Sequence, residues 1–269
     1  MDFKQFYTCA EDEKPLDRMV SDGGFTGIFR TIACVGDSLS SGEFVACSKG
    51  CRSYHDMYDC SWGQYLARMA GCRVYNFSCG GLTAEGFITG YADGNGAWES
   101  EKAAQAYIIA LGVNDILNQG RPIGSTDDIC PACPEKNAET FCGWYARIIQ
   151  RYKEISPAAK FFLVTIPHEE LSEEREKAAD AHAQAIYALA EYFGCYVIDL
   201  RRYGPAYTGE ARRIFFLDDH MSPAGYLFTA RLMASYIDYI IRKNPDDFLQ
   251  VGFIGTPWHN DNFPGWESK

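Results

Sequence analysis

The sequence predicts an α/β protein built on a doubly wound sheet. Five short apolar runs stand out, and most read continuously rather than alternating, as strands do when both faces of a parallel sheet are covered. Helical patterns of apolar residues separate those runs, and strand–helix alternation of this kind builds parallel sheets. The expected architecture is a flavodoxin-like three-layer α/β/α sandwich around a central, mostly parallel five-stranded sheet.

The strands are expected over 31–35, 73–77, 106–111, 160–166 and 195–200. Helices are expected over 62–69, 140–155, 173–193 and from 222 to about 242. The third opens on Glu173-Glu174, carboxylates that suit a helix N-terminus. The fourth opens on Ser222-Pro223, a capping side chain followed by a residue whose missing N–H costs nothing in the first turn. Residues 1–30 are read as an N-terminal extension packed on the domain, 31–243 as the domain itself and 244–269 as a C-terminal tail. The aromatic residues of that tail, Phe253, Trp258, Phe263 and Trp266, are expected to pack it onto the core.

The chain has 269 residues, 47% of them hydrophobic, enough for a substantial core. Its net charge of -11 argues against nucleic acid and anionic membranes as partners. No run approaches the roughly 20 apolar residues of a membrane span. The start, Met1-Asp2-Phe3-Lys4-Gln5-Phe6, lacks the basic and apolar regions of a signal peptide, so a cytoplasmic location is expected. Of the 11 cysteines, Cys34 and Cys79 sit in or beside strand patterns, as small buried hydrophobes. Cys130, Cys133 and Cys142 have the spacing of half a zinc site, and Cys47, Cys51 and Cys60 form a looser group. A structural zinc site needs four ligands, so reduced thiols without metal are expected.

Chemistry-bearing residues gather where strands end, the place where doubly wound sheets bind ligands. The first strand leads into Gly36-Asp37-Ser38-Leu39. The second is followed by a block containing Asn76, Gly81 and Thr83, and the third by Gly112-Val113-Asn114-Asp115. Just before the last helix stands Asp218-Asp219-His220. Each block alone has an ordinary explanation in turn chemistry. In this order and spacing they resemble the SGNH/GDSL hydrolase family, over roughly 31–240 of the chain.

The resemblance implies a serine hydrolase that cleaves carboxylic esters through an acyl-enzyme, with small-acyl or carbohydrate esters favoured as its small-molecule substrates. Ser38 would be the nucleophile and His220 the general base. The backbone N–H of Ser38, the backbone N–H of Gly81 and the side-chain amide of Asn114 would form the oxyanion hole. This chemistry requires no metal and no organic cofactor. An acyltransferase would use the same site, and a binding module with decayed machinery would keep the same fold.

The family's carboxylate stands three residues before the histidine, where this chain has Leu217. Asp218 could orient His220 through a shifted turn, Asp219 could do so, or a backbone carbonyl could leave a Ser–His dyad. Asp218 and the dyad lead. Asp37 is read as a turn former and Asp115 as a tie within its own loop. His182 falls in a helical pattern and is read as surface or packing. His168 is a candidate for the rim, and the irregular segment 118–137, directly after Asn114, is expected to wall the pocket.

Overall fold

The computed structural model describes residues 9–261. Its central sheet contains β1 (Thr31–Gly36), β4 (Arg73–Ser78), β5 (Ala106–Ala110), β6 (Lys160–Val164) and β7 (Tyr196–Ile198), in the order β4-β1-β5-β6-β7. Every neighbouring pair is parallel. The expected sheet is therefore present, with the strand order of a flavodoxin-like sandwich. One apolar layer covers one face through Tyr107, Tyr145, Tyr152 and Phe161. Ile32, Ile108, Phe162 and Ile237 belong to the layer on the other face.

The four long helices are α1 (Trp62–Ala70), α2 (Phe141–Ile155), α3 (Glu173–Phe193) and α4 (Pro223–Lys243). Each begins on a hydroxyl that satisfies a backbone N–H left free in the first turn. Ser61 accepts from Gln64, Thr140 from Gly143, Ser172 from Arg175 and Ser222 from Gly225. Gly71 and Gly194 end α1 and α3 at φ 66° and 64°, left-handed positions that favour glycine.

Two small antiparallel pairs were not foreseen. β2 (Glu43–Ser48) and β3 (Cys51–Asp56) form a ribbon joined by Lys49-Gly50. Both turn residues have positive φ, 53° and 78°, as the favoured two-residue hairpin turn requires. β8 (Phe216–Leu217) and β9 (His220–Met221) enclose the turn Asp218-Asp219. The ribbon explains the Cys47, Cys51 and Cys60 group: Cys47 and Cys51 lie exposed on opposite strands, across from Arg52 and Ser48. All described cysteines are free thiols. Burial pushes the thiol of Cys142, at the start of α2, up to about 12.

The described part of the N-terminal segment lies against α4. Val20 N–H donates to Ser235 Oγ at 3.0 Å and Thr26 Oγ1 to the Ala234 carbonyl at 3.2 Å. Arg242 is buried there between Asp238, at 2.8 Å, and Glu13, at 2.6 Å. In the tail, Phe248, Val251 and Ile254 are buried. Two of the aromatic residues expected to hold it do not: Phe253 is 39% and Trp258 69% exposed. A short 3-10 turn, Val251–Phe253, buries its first residue and turns the last outward. Phe263 and Trp266, like Met1 to Phe6, lie outside the described residues.

The Arg242 cluster yields a stability prediction. Removing one partner of a buried pair strands the other charge and costs about 3–5 kcal/mol. Arg242→Met leaves the buried Asp238 carboxylate without a cation and should lower the unfolding free energy by about that amount in urea titrations. A loss under about 1 kcal/mol would mean that water reaches the carboxylate.

Candidate active site

β1 delivers Ser38 to the carboxyl edge of the sheet. Asp37 Oδ1 accepts from Leu39 N–H at 3.1 Å and caps the single helical turn Ser38–Ser41. Its other oxygen is buried without a hydrogen-bond partner, and burial pushes the carboxyl up to about 7. Asp37 thus shapes the turn, as expected. Asn76, at the end of β4, donates to the Ser40 carbonyl at 3.0 Å and braces the same turn.

The second and third blocks are tied together. Asp115 accepts from Ala84 N–H through both oxygens, at 3.1 and 3.2 Å. It reaches across to the neighbouring block rather than within its own loop, and burial lifts it to about 6. Gly81 has φ 73° and is exposed, and a Cβ there would meet no neighbouring atom. Asn114 Oδ1 accepts from Asn118 at 2.9 Å while Nδ2 donates to the Leu82 carbonyl at 3.2 Å. The amide is thereby oriented with its N–H side toward Leu82.

His182 supports this loop from α3. It is fully buried, its Nε2 lies 3.1 Å from the Leu111 carbonyl, and its ring fills the space that a Cβ on Gly112 would need. Burial lowers it to about 4. Surface or packing was expected of it, and the structure shows packing.

His220 sits on β9 with Nδ1 2.8 Å from Asp219 Oδ1. Asp218, the carboxylate first favoured for this place, turns away to Arg52 at 2.9 Å. The reason is local: Asp218 has φ 64° at the first position of the β8–β9 turn, while Asp219 leads directly into β9. Arg52 also holds Asp219 at 2.7 Å, and Arg212 donates to the Asp218 carbonyl at 3.2 Å. Burial would raise Asp219, but the His220 hydrogen bond and the His220 and Arg52 charges outweigh it and lower its pKa.

Nε2 of His220 faces Glu43 Oε1 at 3.0 Å. Ser38 Oγ makes no hydrogen bond to His220 in this structure. Sequence reading missed Glu43; its only signal was an acidic residue directly after Gly42, at the end of the serine turn.

One cavity of about 390 Å³ unites Ser38, Gly81, Asn114, Asp219 and His220 with Glu43, Tyr54, Glu169, Arg175 and Arg212. Glu169 is raised by burial against the pull of Arg212, 3.2 Å away. His168 does not join this wall: it is half-buried beside Glu176, at 3.7 Å. Only Asn118 of the segment 118–137 lines the cavity; Ile129 and Asn137 are buried, and Cys130 and Asn137 bond to α2 through Gln150. Among the described residues no three His, Cys, Asp or Glu side chains group as a metal site would.

The profile of the GDSL-like Lipase/Acylhydrolase family matches residues 34–228, most of the chain and all four blocks through His220. The chain belongs to the GDSL-like Lipase/Acylhydrolase family. As a GDSL-like protein it is a carboxylic ester hydrolase. Solved structures share the fold. An acetyl xylan esterase, AlAXEase, is 18% identical with a TM-score of 0.53, over 77% of this chain and 99% of its own. The psychrotrophic esterase EstA from Pseudoalteromonas sp. is 15% identical with a TM-score of 0.53, over 80% and 100%. A lipase/acylhydrolase from Enterococcus faecalis is 18% identical with a TM-score of 0.50, over 78% and 95%. No curated protein matches.

The burial of His182 sets a pH dependence. Its folded pKa, about 4, lies below the ordinary 6.5. Its stabilising contribution is present above 6.5 and is lost as the pH falls through 4. That displacement corresponds to on the order of 3 kcal/mol. Wild-type unfolding free energy should fall more steeply from pH 7 to 4 than that of His182→Gln; parallel curves would show that water reaches the ring.

Proposed function

We propose that this GDSL-like hydrolase cleaves small carboxylic esters through a Ser38 acyl-enzyme. The observation that carries the reading is the convergence of Ser38, Gly81, Asn114 and His220 on one cavity, from four separate segments. Ser38 Oγ attacks the ester carbonyl while His220 Nε2 takes its proton. For this step Nε2 exchanges Glu43 for Ser38. The oxyanion accepts from the N–H groups of Ser38 and Gly81 and from the Asn114 amide. His220 returns the proton to the departing alcohol, and water then releases the acid by the same route.

Asp219 is the orienting carboxylate in this reading. Its hydrogen bond to Nδ1 leaves Nε2 as the proton-accepting nitrogen of the neutral ring. The absence of a carboxylate at Leu217 was what favoured a decayed module, and Asp219 removes that argument. A polar cavity with Glu169, Arg175 and Asn118 beside the serine suits a hydroxyl-rich alcohol better than a long chain. That fits the acetyl xylan esterase whose fold the chain shares, and we favour short acyl groups on carbohydrates.

Hydrolysis of p-nitrophenyl acetate tests the assignment. Ser38→Ala should abolish turnover above background. Asn114→Ala should lower kcat by roughly 10²–10³-fold. Asp219→Asn should cost roughly 10²-fold or more, and Asp218→Asn only a few-fold. Equal background rates in wild type and Ser38→Ala would reject the reading, and a larger loss at Asp218 than at Asp219 would reject the orienting role.

A further inference from the structure

Both nitrogens of His220 face carboxylates: Nδ1 meets Asp219 at 2.8 Å and Nε2 meets Glu43 at 3.0 Å. A neutral imidazole has one N–H, and an ionised carboxylate only accepts. Two such contacts therefore hold one proton more than a working base can carry. Either the ring is charged between two carboxylates, or Glu43 is protonated and donates to Nε2. In both forms Nε2 is unavailable to Ser38.

The Glu43–Nε2 contact is sheltered: the side chains of His220 and Glu43 are 11% and 12% exposed, so salt screens the pair little. The second Glu43 oxygen fills the room that a Cβ on Gly80 would occupy. The carboxylate is thus seated against the backbone that leads into Gly81.

We propose that Glu43 is a further residue of the catalytic centre, holding the resting proton at Nε2 and yielding Nε2 to Ser38 when that proton leaves. The inference rests on the Ser38 and His220 roles above. As the pH rises, the centre gives one proton to solvent. Glu43 is then ionised, and the neutral ring keeps its N–H on Nδ1 toward Asp219. The Nε2 lone pair now faces a negative oxygen, repels it, and accepts from Ser38 Oγ–H instead.

The surroundings favour retention of the proton. Asp56 and Asp219 act on Glu43 together with His220, and burial raises its carboxyl while the His220 charge opposes the rise. Asp37, Cys79 and Tyr226 feel the Glu43 charge from the sheet side. Tyr54 packs edge-on to the imidazole with centroids 5.6 Å apart, and Arg52 balances Asp218 and Asp219. Across the cavity stand Glu169 with Arg212, Glu170 and Arg175.

The test is the pH profile of kcat/KM for p-nitrophenyl acetate with wild type, Glu43→Gln and Ser38→Ala. A neutral amide at position 43 no longer favours the charged ring, so the acid limb should move to lower pH by roughly one unit or more. Within that limb Glu43→Gln should keep roughly tenfold more of its own plateau activity than wild type keeps. Superimposable limbs, with Ser38→Ala dead, would overturn the role of Glu43 alone. Wild-type turnover in Ser38→Ala would instead overturn the nucleophile and the inference together. If Glu43→Gln does not fold, wild-type protein with ¹³C-labelled glutamate carboxyls decides. The Glu43 signal should move through the same pH step as activity, as a shared proton requires, and a signal fixed across the acid limb would overturn the proposal.

Discussion

Because β1 lies between β4 and β5 in parallel register, Gly36 stands level with Ser78 on one side and Ala110 on the other. Three turns therefore leave the sheet side by side, at the point where the winding direction reverses. The parallel ladder sets the strand spacing at about 4.8 Å, so the turn residues must approach one another whatever else the loops do. Asp115 uses that closeness to join the second and third blocks, and Asn76 uses it to brace the serine turn. The groups proposed as oxyanion donors stand on turns that this register and these hydrogen bonds hold in place, which is how such a site would avoid reorganising as charge develops.

That arrangement crowds carboxylates. Asp37, Asp115 and Glu43 are all shifted upward by burial, while Asp219, held by His220 and Arg52, is shifted downward. Neighbouring acids thus separate into groups that resist ionising and one that keeps its charge, the pattern expected where proton transfer is organised. Arg52 and Arg212 complete it by fixing the side chains and the carbonyl of the Asp218-Asp219 turn.

The parallel strands, the capped helices and the four blocks were legible in the sequence because each leaves a local signature: continuous apolar runs, a hydroxyl before a helix, glycine where backbone must approach a ligand. The β2–β3 ribbon was not, because its strands are largely exposed and do not alternate apolar with polar residues, and its turn is Lys-Gly rather than the commoner Asn-Gly. The choice between Asp218 and Asp219 depended on which residue takes the left-handed position of a turn. Sequence offers both, since Asp tolerates that conformation. Glu43 was invisible for a different reason: its partner lies 177 positions away, and no local pattern records a pair of that separation.

Side chains of the ribbon alternate between two faces. Glu43, Tyr54 and Arg52 stand on the one that meets His220 and its turn; Phe44, Ser53 and His55 stand on the other. A slip of one residue between the strands would exchange the faces of the slipped strand. The turn Lys49-Gly50 fixes that phase. Two residues of a surface turn thus decide which chemical groups surround His220, and the ribbon can vary them while the scaffold that carries Ser38 stays as it is.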